Sequence, residues 1–240
     1  HIMHNAPYHG GIHLLYVIKG AHKNTLAGSK CPPCPPVTTQ MLDLLHAHLD
    51  SSISLDAACL TVSNCALWGQ AHLGEFLPIS QKQFSVRYFP IVSNLRPTSS
   101  LGHPHMFFLL WFKTAREKGE ELFFDRQMGP SDPITSLNTH LAGNSPLPSS
   151  HLFSYRDTKG ALTPLTKWKF LARCNTVWSQ YSFSCISGHS FRIRGTTELL
   201  LYRVSPHIIK ALGRWFLDVF LHYWRCLEEL APLHAELVGP

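Results

Sequence analysis

Between Gly188 and Pro232 two breakers divide a long apolar, helix-periodic stretch into three pieces. Gly188 to Tyr202 reads as one helix. Ser205-Pro206 starts a short second one carrying Ile208, Ile209 and Leu212, with proline at the first position, where its missing N–H costs nothing. Gly213 breaks that helix. Phe216, Val219, Phe220, Tyr223, Leu227 and Leu230 then mark one face of a third, which Pro232 stops.

The same period governs the chain from Val37 onward. Thr38 or Thr39 can cap a helix whose Met41, Leu42, Leu45 and Leu49 repeat at three and four. A second helix is expected from about Asp56 to His72. The middle changes period: His105 to Lys113 and Glu121 to Arg126 are apolar and aromatic around the polar turn 115–119, which reads as a β-hairpin. Ser131-Asp132-Pro133 is a helix start, and Leu152 to Tyr155 suits a short strand. Thr163 to Tyr181 is expected to be helical, with Leu165, Trp168, Leu171 and Trp178 as its stripe. The expected fold class is mainly α with a small antiparallel β-sheet (α+β). Residues 1–36, which end in the proline-rich run Cys31 to Pro36, read as the remnant of a preceding domain and its linker.

A hydrophobic fraction of 45% against 15% charged residues excludes a disordered chain. Seven scattered cysteines do not form a disulfide framework and fit a reducing, intracellular compartment. Cys31-Pro-Pro-Cys34 has C-x-x-C spacing, but no second pair follows at zinc-finger distance, so no metal is expected. The longest apolar run, Met106 to Phe112, is too short to cross a bilayer, so no membrane partner is expected. The net charge of +6 suits a polyanionic partner, though weakly by itself.

The chemistry-bearing residues sit in the last quarter. His189 and Arg192 stand three apart, so on a helix an imidazole and a guanidinium share a face. A forked cation beside a proton-transfer group is what phosphoryl transfer needs. Gly213-Arg214-Trp215 follows one short helix later, and Tyr223 lies two turns beyond. Together, Ser187-Gly188-His189-Ser190-Phe191-Arg192, Gly213-Arg214-Trp215 and Tyr223 resemble the tyrosine-recombinase, or phage-integrase-like, family, especially the integrase-like proteins of fungal genomes. The resemblance runs from about Val37 to the C-terminus.

It implies the fold of a DNA breaking-rejoining catalytic domain over 37–240, with 1–36 as the remnant of the core-binding domain. It implies DNA recombination or integration through a 3′-phosphotyrosyl intermediate. By resemblance, Tyr223 is the nucleophile, Arg192 the second catalytic arginine, His189 the histidine before it and Trp215 a donor to the scissile phosphate. Lys113 resembles the hairpin lysine that protonates the leaving hydroxyl, and Glu75 the acid that follows the first arginine. Duplex DNA is the implied partner, with a homo-oligomer on it, a nuclear location and no small-molecule cofactor. Lys167, Lys169, Arg173 and Arg214 are candidate DNA contacts; the three on the 167–173 helix also suit an ordinary solvated face. On residue pattern alone Tyr223 and Trp215 suit the core equally well, and Lys113 an ordinary turn.

The pattern departs from the family at one position that matters. His72-Leu73-Gly74-Glu75 stands where the family has an arginine three residues before the acid, so a histidine replaces a fixed, forked cation. Arg194 and Arg203 occupy positions where relatives carry small residues. These departures leave open a degenerate copy: a catalytically inactive, DNA-binding remnant of a mobile element. A type IB topoisomerase-like activity is a third reading.

Overall fold

The computed structural model describes Tyr16, Gly20, Asn24, 35–97, 119–184 and 186–215, with the backbone alone at 105–109. The chain divides into two compact units, 1–33 and 34–240. In the first, Tyr16 and Gly20 are helical and the Asn24 amide donates to the Gly20 carbonyl at 3.0 Å.

The second unit is mainly α with small antiparallel sheets. Its centre is helix α2 (Ser54–Trp68), which is apolar on nearly every side. Ala58, Cys59, Val62, Cys65 and Ala66 are all fully buried along it. Small residues at these positions let other helices approach closely. α1 (Thr39–His48) begins where Thr38 accepts the Met41 amide at 3.1 Å. α4 (Pro133–Asn144) begins with Asp132 accepting the Ile134 and Thr135 amides. It packs along α2, where Thr61 donates to the Ser136 carbonyl at 2.8 Å. α5 (Lys167–Trp178) is capped by Thr166, and its Trp178 indole donates to the Met41 carbonyl at 2.8 Å, tying it to α1.

Two sheets flank the helices. β1 (Leu95–Pro97), β2 (His105–Leu109) and β3 (Glu120–Phe124) form an antiparallel sheet in that order, with Phe107 opposite both Leu95 and Leu122. The β2–β3 hairpin was expected; the third strand was not, because three residues carry no period. β4 (Ser154–Arg156) and β5 (Leu162–Pro164) make a second hairpin. Thr163 therefore lies in a strand, and the helix expected from it starts four residues later. Trp168 is 77% exposed, so the buried stripe of α5 is Phe170, Cys174, Val177 and Trp178.

The remaining helices carry the site. After α2 come the single turn α3 (Leu73–Phe76) and, much later, α6 (Ser190–Leu201) and α7 (Pro206–Leu212). α6 crosses α2 at Gly195: a Cβ there would lie 2.0 Å from the Leu67 carbonyl oxygen, so only glycine fits. α2 stops at Trp68, short of the expected His72. The Gln70 amide returns to the Leu67 carbonyl and the Ala71 amide to the Ala66 carbonyl, with Gln70 left-handed at φ 47°. This closure uses up the carbonyls a helix end leaves over. α6 closes the same way around Arg203 (φ 58°), and α7 around Arg214 (φ 55°). Glycine would normally stand at such a position; a side chain there costs about 1 kcal/mol or more. Arg203 thus fills a place where glycine is the relaxed residue. Arg194, by contrast, is accommodated by Thr39 Oγ1 at 2.7 Å and by an ion pair with Glu198 one turn on.

Arg173 has a structural role. Its Nε and Nη2 donate to the two oxygens of Asp56 at 2.8 and 2.9 Å, and Asp56 is 2% exposed. Removing one partner of such a pair strands a buried carboxylate. Arg173→Leu is expected to cost about 3 kcal/mol or more in urea unfolding. An unfolding midpoint and slope equal to the parent's would contradict this assignment.

Candidate active site

Segments 69–76, 187–192 and 213–215 meet at one place, joined first by backbone. The Leu73 amide donates to the Gly188 carbonyl at 3.4 Å. This brings His72 against His189, whose rings meet edge to face with centroids 4.7 Å apart.

Arg192, in the first turn of α6, is 2% exposed. Its Nη1 donates to the Gln70 carbonyl at 2.7 Å, and its Nη2 donates to the Gly213 carbonyl. Its guanidinium also lies 3.8 Å from the centroid of the Trp215 ring, a cation–π stack. One side chain therefore fastens the end of α2, the end of α7 and the indole to α6. Gly213 is required here, since a Cβ would fall 2.0 Å from the Trp215 Nε1 atom.

Arg214 turns the other way. Its left-handed backbone sends the guanidinium back to Glu75 Oε2 at 2.8 Å and toward Glu120 Oε2 at 3.4 Å, with the Gly69 carbonyl at 3.3 Å. The Arg214 side chain is only 5% exposed, so the sequence-based expectation of a DNA contact is replaced by a buried ion-paired role. Glu75 also accepts the His72 amide at 3.0 Å. Burial pushes the Glu75 carboxyl above its usual range, opposed by Arg214 and then Arg192. Burial likewise raises Glu120, again against Arg214 and Arg192. The close ion pair favours an ionised Glu75 at neutral pH all the same, because the Arg214 nitrogen sits at hydrogen-bond distance.

The structure thus brings together His72, Glu75, His189, Arg192, Arg214 and Trp215. Lys113 and Tyr223 lie outside the described residues. Lys169 sits 5.1 Å over the Tyr155 ring, on the far flank of α5. Two site members went unrecognised in the sequence. Gln70 supplies the carbonyl for Arg192, accepts Thr196 Oγ1 at 3.0 Å and reaches the Ile209 carbonyl at 3.4 Å. Glu120, at the foot of β3, adds the second carboxylate. The Gly69-Gln70 break after an apolar helix was the available signal for the first; nothing local marks the second.

Among the described residues, no group of three or more His, Cys, Asp and Glu side chains is placed to hold a metal ion. Among the same residues, no helix is long and apolar enough to cross a membrane.

No family model and no curated protein matches the chain. Among solved structures, the fold is similar to that of an FLP recombinase–Holliday junction complex, with a TM-score of 0.47 and 12% identity, covering 93% of this chain and 59% of that one. An Flpe–Holliday junction complex gives a TM-score of 0.47 and 12% identity over 89% of this chain and 55% of that one. The chain therefore matches less than two thirds of the length of these structures.

Proposed function

We propose that the chain is a tyrosine-recombinase-type domain that binds duplex DNA at the His72–His189–Arg192–Trp215 cluster, with Tyr223 as the nucleophile of strand cleavage. The observation that carries this reading is the convergence of these groups. An imidazole pair, a buried guanidinium and an indole meet there, His72 from more than a hundred residues before the other three. Such a set offers hydrogen-bond donors and positive charge to a phosphodiester and its transition state.

In the proposed step the Tyr223 phenolate oxygen attacks the scissile phosphorus. The bond to the 5′ oxygen breaks, Lys113 gives that oxygen a proton, and a 3′-phosphotyrosyl ester remains. A returning 5′-hydroxyl reverses the step, so rejoining needs no external energy source. Exchange between two duplexes requires more than one active site, so assembly of several copies on DNA, within the cell, belongs to the proposal.

A second reading keeps the DNA binding and drops the cleavage. What favours it is specific: two Arg192 donors already go to the Gln70 and Gly213 carbonyls, and His72 stands where the resemblance implies a guanidinium.

The test is trapping on a nicked duplex whose cleaved end diffuses away. A denaturation-resistant protein–DNA adduct is expected from the parent chain and not from Tyr223→Phe. An adduct that survives Tyr223→Phe removes the nucleophile assignment. Salt-sensitive binding without adduct selects the second reading, and the absence of both removes the DNA reading altogether.

A further inference from the structure

The four charged side chains of the cluster cancel. Arg192 and Arg214 stand against Glu75 and Glu120, two of each sign. A pocket for a phosphodiester needs a surplus of positive charge. His72 does not supply a fixed one, since an imidazole gains or loses its charge around neutrality.

One lysine reaches the backbone beside this cluster. Lys167 opens α5, and its amide donates to the Pro78 carbonyl at 2.9 Å, which fixes the start of the helix beside the segment that follows α3. From there the side chain runs to Gly188. A Cβ built on Gly188 would lie 2.9 Å from both Lys167 Cε and Nζ, with the Leu73 Cβ at 3.4 Å on the same side. Gly188 and Leu73 are the chain neighbours of His189 and His72, and they are joined by the Leu73 amide. The ammonium is therefore lodged where the two histidine segments meet, in space a side chain at 188 would take. Among the described residues it forms no ion pair.

We propose that Lys167 is the phosphate-contacting cation that makes up for the arginine absent at position 72. This rests on the DNA reading above and adds a residue to it. A lysine is a compact point charge rather than a fork, so it attracts a phosphate without fixing its orientation. It thus restores charge to the pocket but not the paired geometry of a guanidinium. Lys169, two residues on, lies over Tyr155 and serves as the matched control.

The experiment measures binding of the full chain to a short duplex of arbitrary sequence across a salt series. Lys167→Met is expected to weaken binding several-fold at low salt and to reduce the salt slope by about 0.9, one phosphate contact. Lys167→Arg should keep the slope. Gly188→Ala tests the place rather than the charge. The added methyl collides only with the movable end of Lys167, so the fold should persist while the ammonium is displaced. It should reproduce the loss of Lys167→Met, and the double variant should lose nothing further.

Should Lys167→Met match the parent in affinity and slope, the proposal is overturned while the DNA reading stands. If Lys167→Met weakens binding but Gly188→Ala does not, or the two losses add, the lysine contacts DNA from outside the pocket and the proposal is again wrong. If Gly188→Ala unfolds, the Lys167→Met and Lys169→Met pair decides: equal losses overturn a pocket role. A parent chain that binds no duplex defeats the DNA reading itself.

Discussion

A His72→Arg chain is expected to form covalent adduct on a nicked duplex about 10²–10³ times faster than the parent, by analogy with the loss of one preorganised donor to a developing oxyanion. His72 is an extended residue at the entry to α3, three residues before Glu75 and edge-on to His189. A guanidinium there adds a fixed charge and two parallel donors beside a cluster whose own carboxylates and guanidiniums balance. It would also compete with Arg214 for Glu75, so a gain smaller than tenfold would mean that Glu75 captures the new side chain. No gain at all, with DNA binding retained, would show that the first arginine is not what limits the reaction. Rates of adduct formation at fixed DNA concentration, with Tyr223→Phe in parallel, decide among these outcomes.

The second large effect concerns acid. His140 and His151 are buried, and burial lowers both imidazoles to about 4. Desolvation disfavours the charged form of both, and at His140 one partner also requires the neutral form. His140 Nε2 donates to the Leu152 carbonyl at 2.9 Å, while its Nδ1, 3.0 Å from the Asn144 amide nitrogen, accepts from it. His151 Nε2 donates to the Phe76 carbonyl at 2.7 Å. The unfolded chain takes up these two protons near pH 6.5 and the folded chain only near 4. Between those values the unfolded state therefore binds more protons, and stability falls as pH falls. Full stability is present above about 6.5, and each histidine removes on the order of 3 kcal/mol by pH 4. Urea unfolding as a function of pH should show this slope. His140→Gln and His151→Gln should each flatten it, and a profile already flat in the parent between pH 6.5 and 4 would refute the account.

Much of the architecture could be read from residue spacing, for a simple reason: most elements announce themselves locally. Thr38 and Asp132 cap the helices they precede, and two apolar, aromatic runs on either side of a polar turn mark a hairpin whose strands pair as expected. Two of the differences share one cause. Gly69 and Gly213 stand one residue before the left-handed position, so Gln70 and Arg214 take the conformation that glycine usually signals. That is why α2 seemed to run on to His72, and why the Arg214 side chain points inward rather than to solvent. The Arg173–Asp56 pair was illegible for another reason: its members lie 117 residues apart, and no local rule reports a pairing at that distance. Within the site, the His189–Arg192 spacing was legible because both lie on one helical turn. Gln70 and Glu120 were not, because they act through a carbonyl and through an ion pair that only the assembled chain creates.

Arg192 has a consequence for how such a sequence decays. Because it holds the Gln70 and Gly213 carbonyls and stacks on Trp215 from a position with 2% exposure, the fold needs it whether or not any DNA is cut. A lineage that abandoned the reaction would still be held to arginine at 192, glycine at 213 and an aromatic ring at 215 for as long as the protein had to fold. Position 72, half-buried at the entry to a single helical turn, is held differently: its ring packs edge to face on His189 and its amide donates to Glu75. The persistence of the motif in a descendant therefore records the demands of architecture, so a preserved Arg192–Gly213–Trp215 set is not by itself a sign of preserved activity.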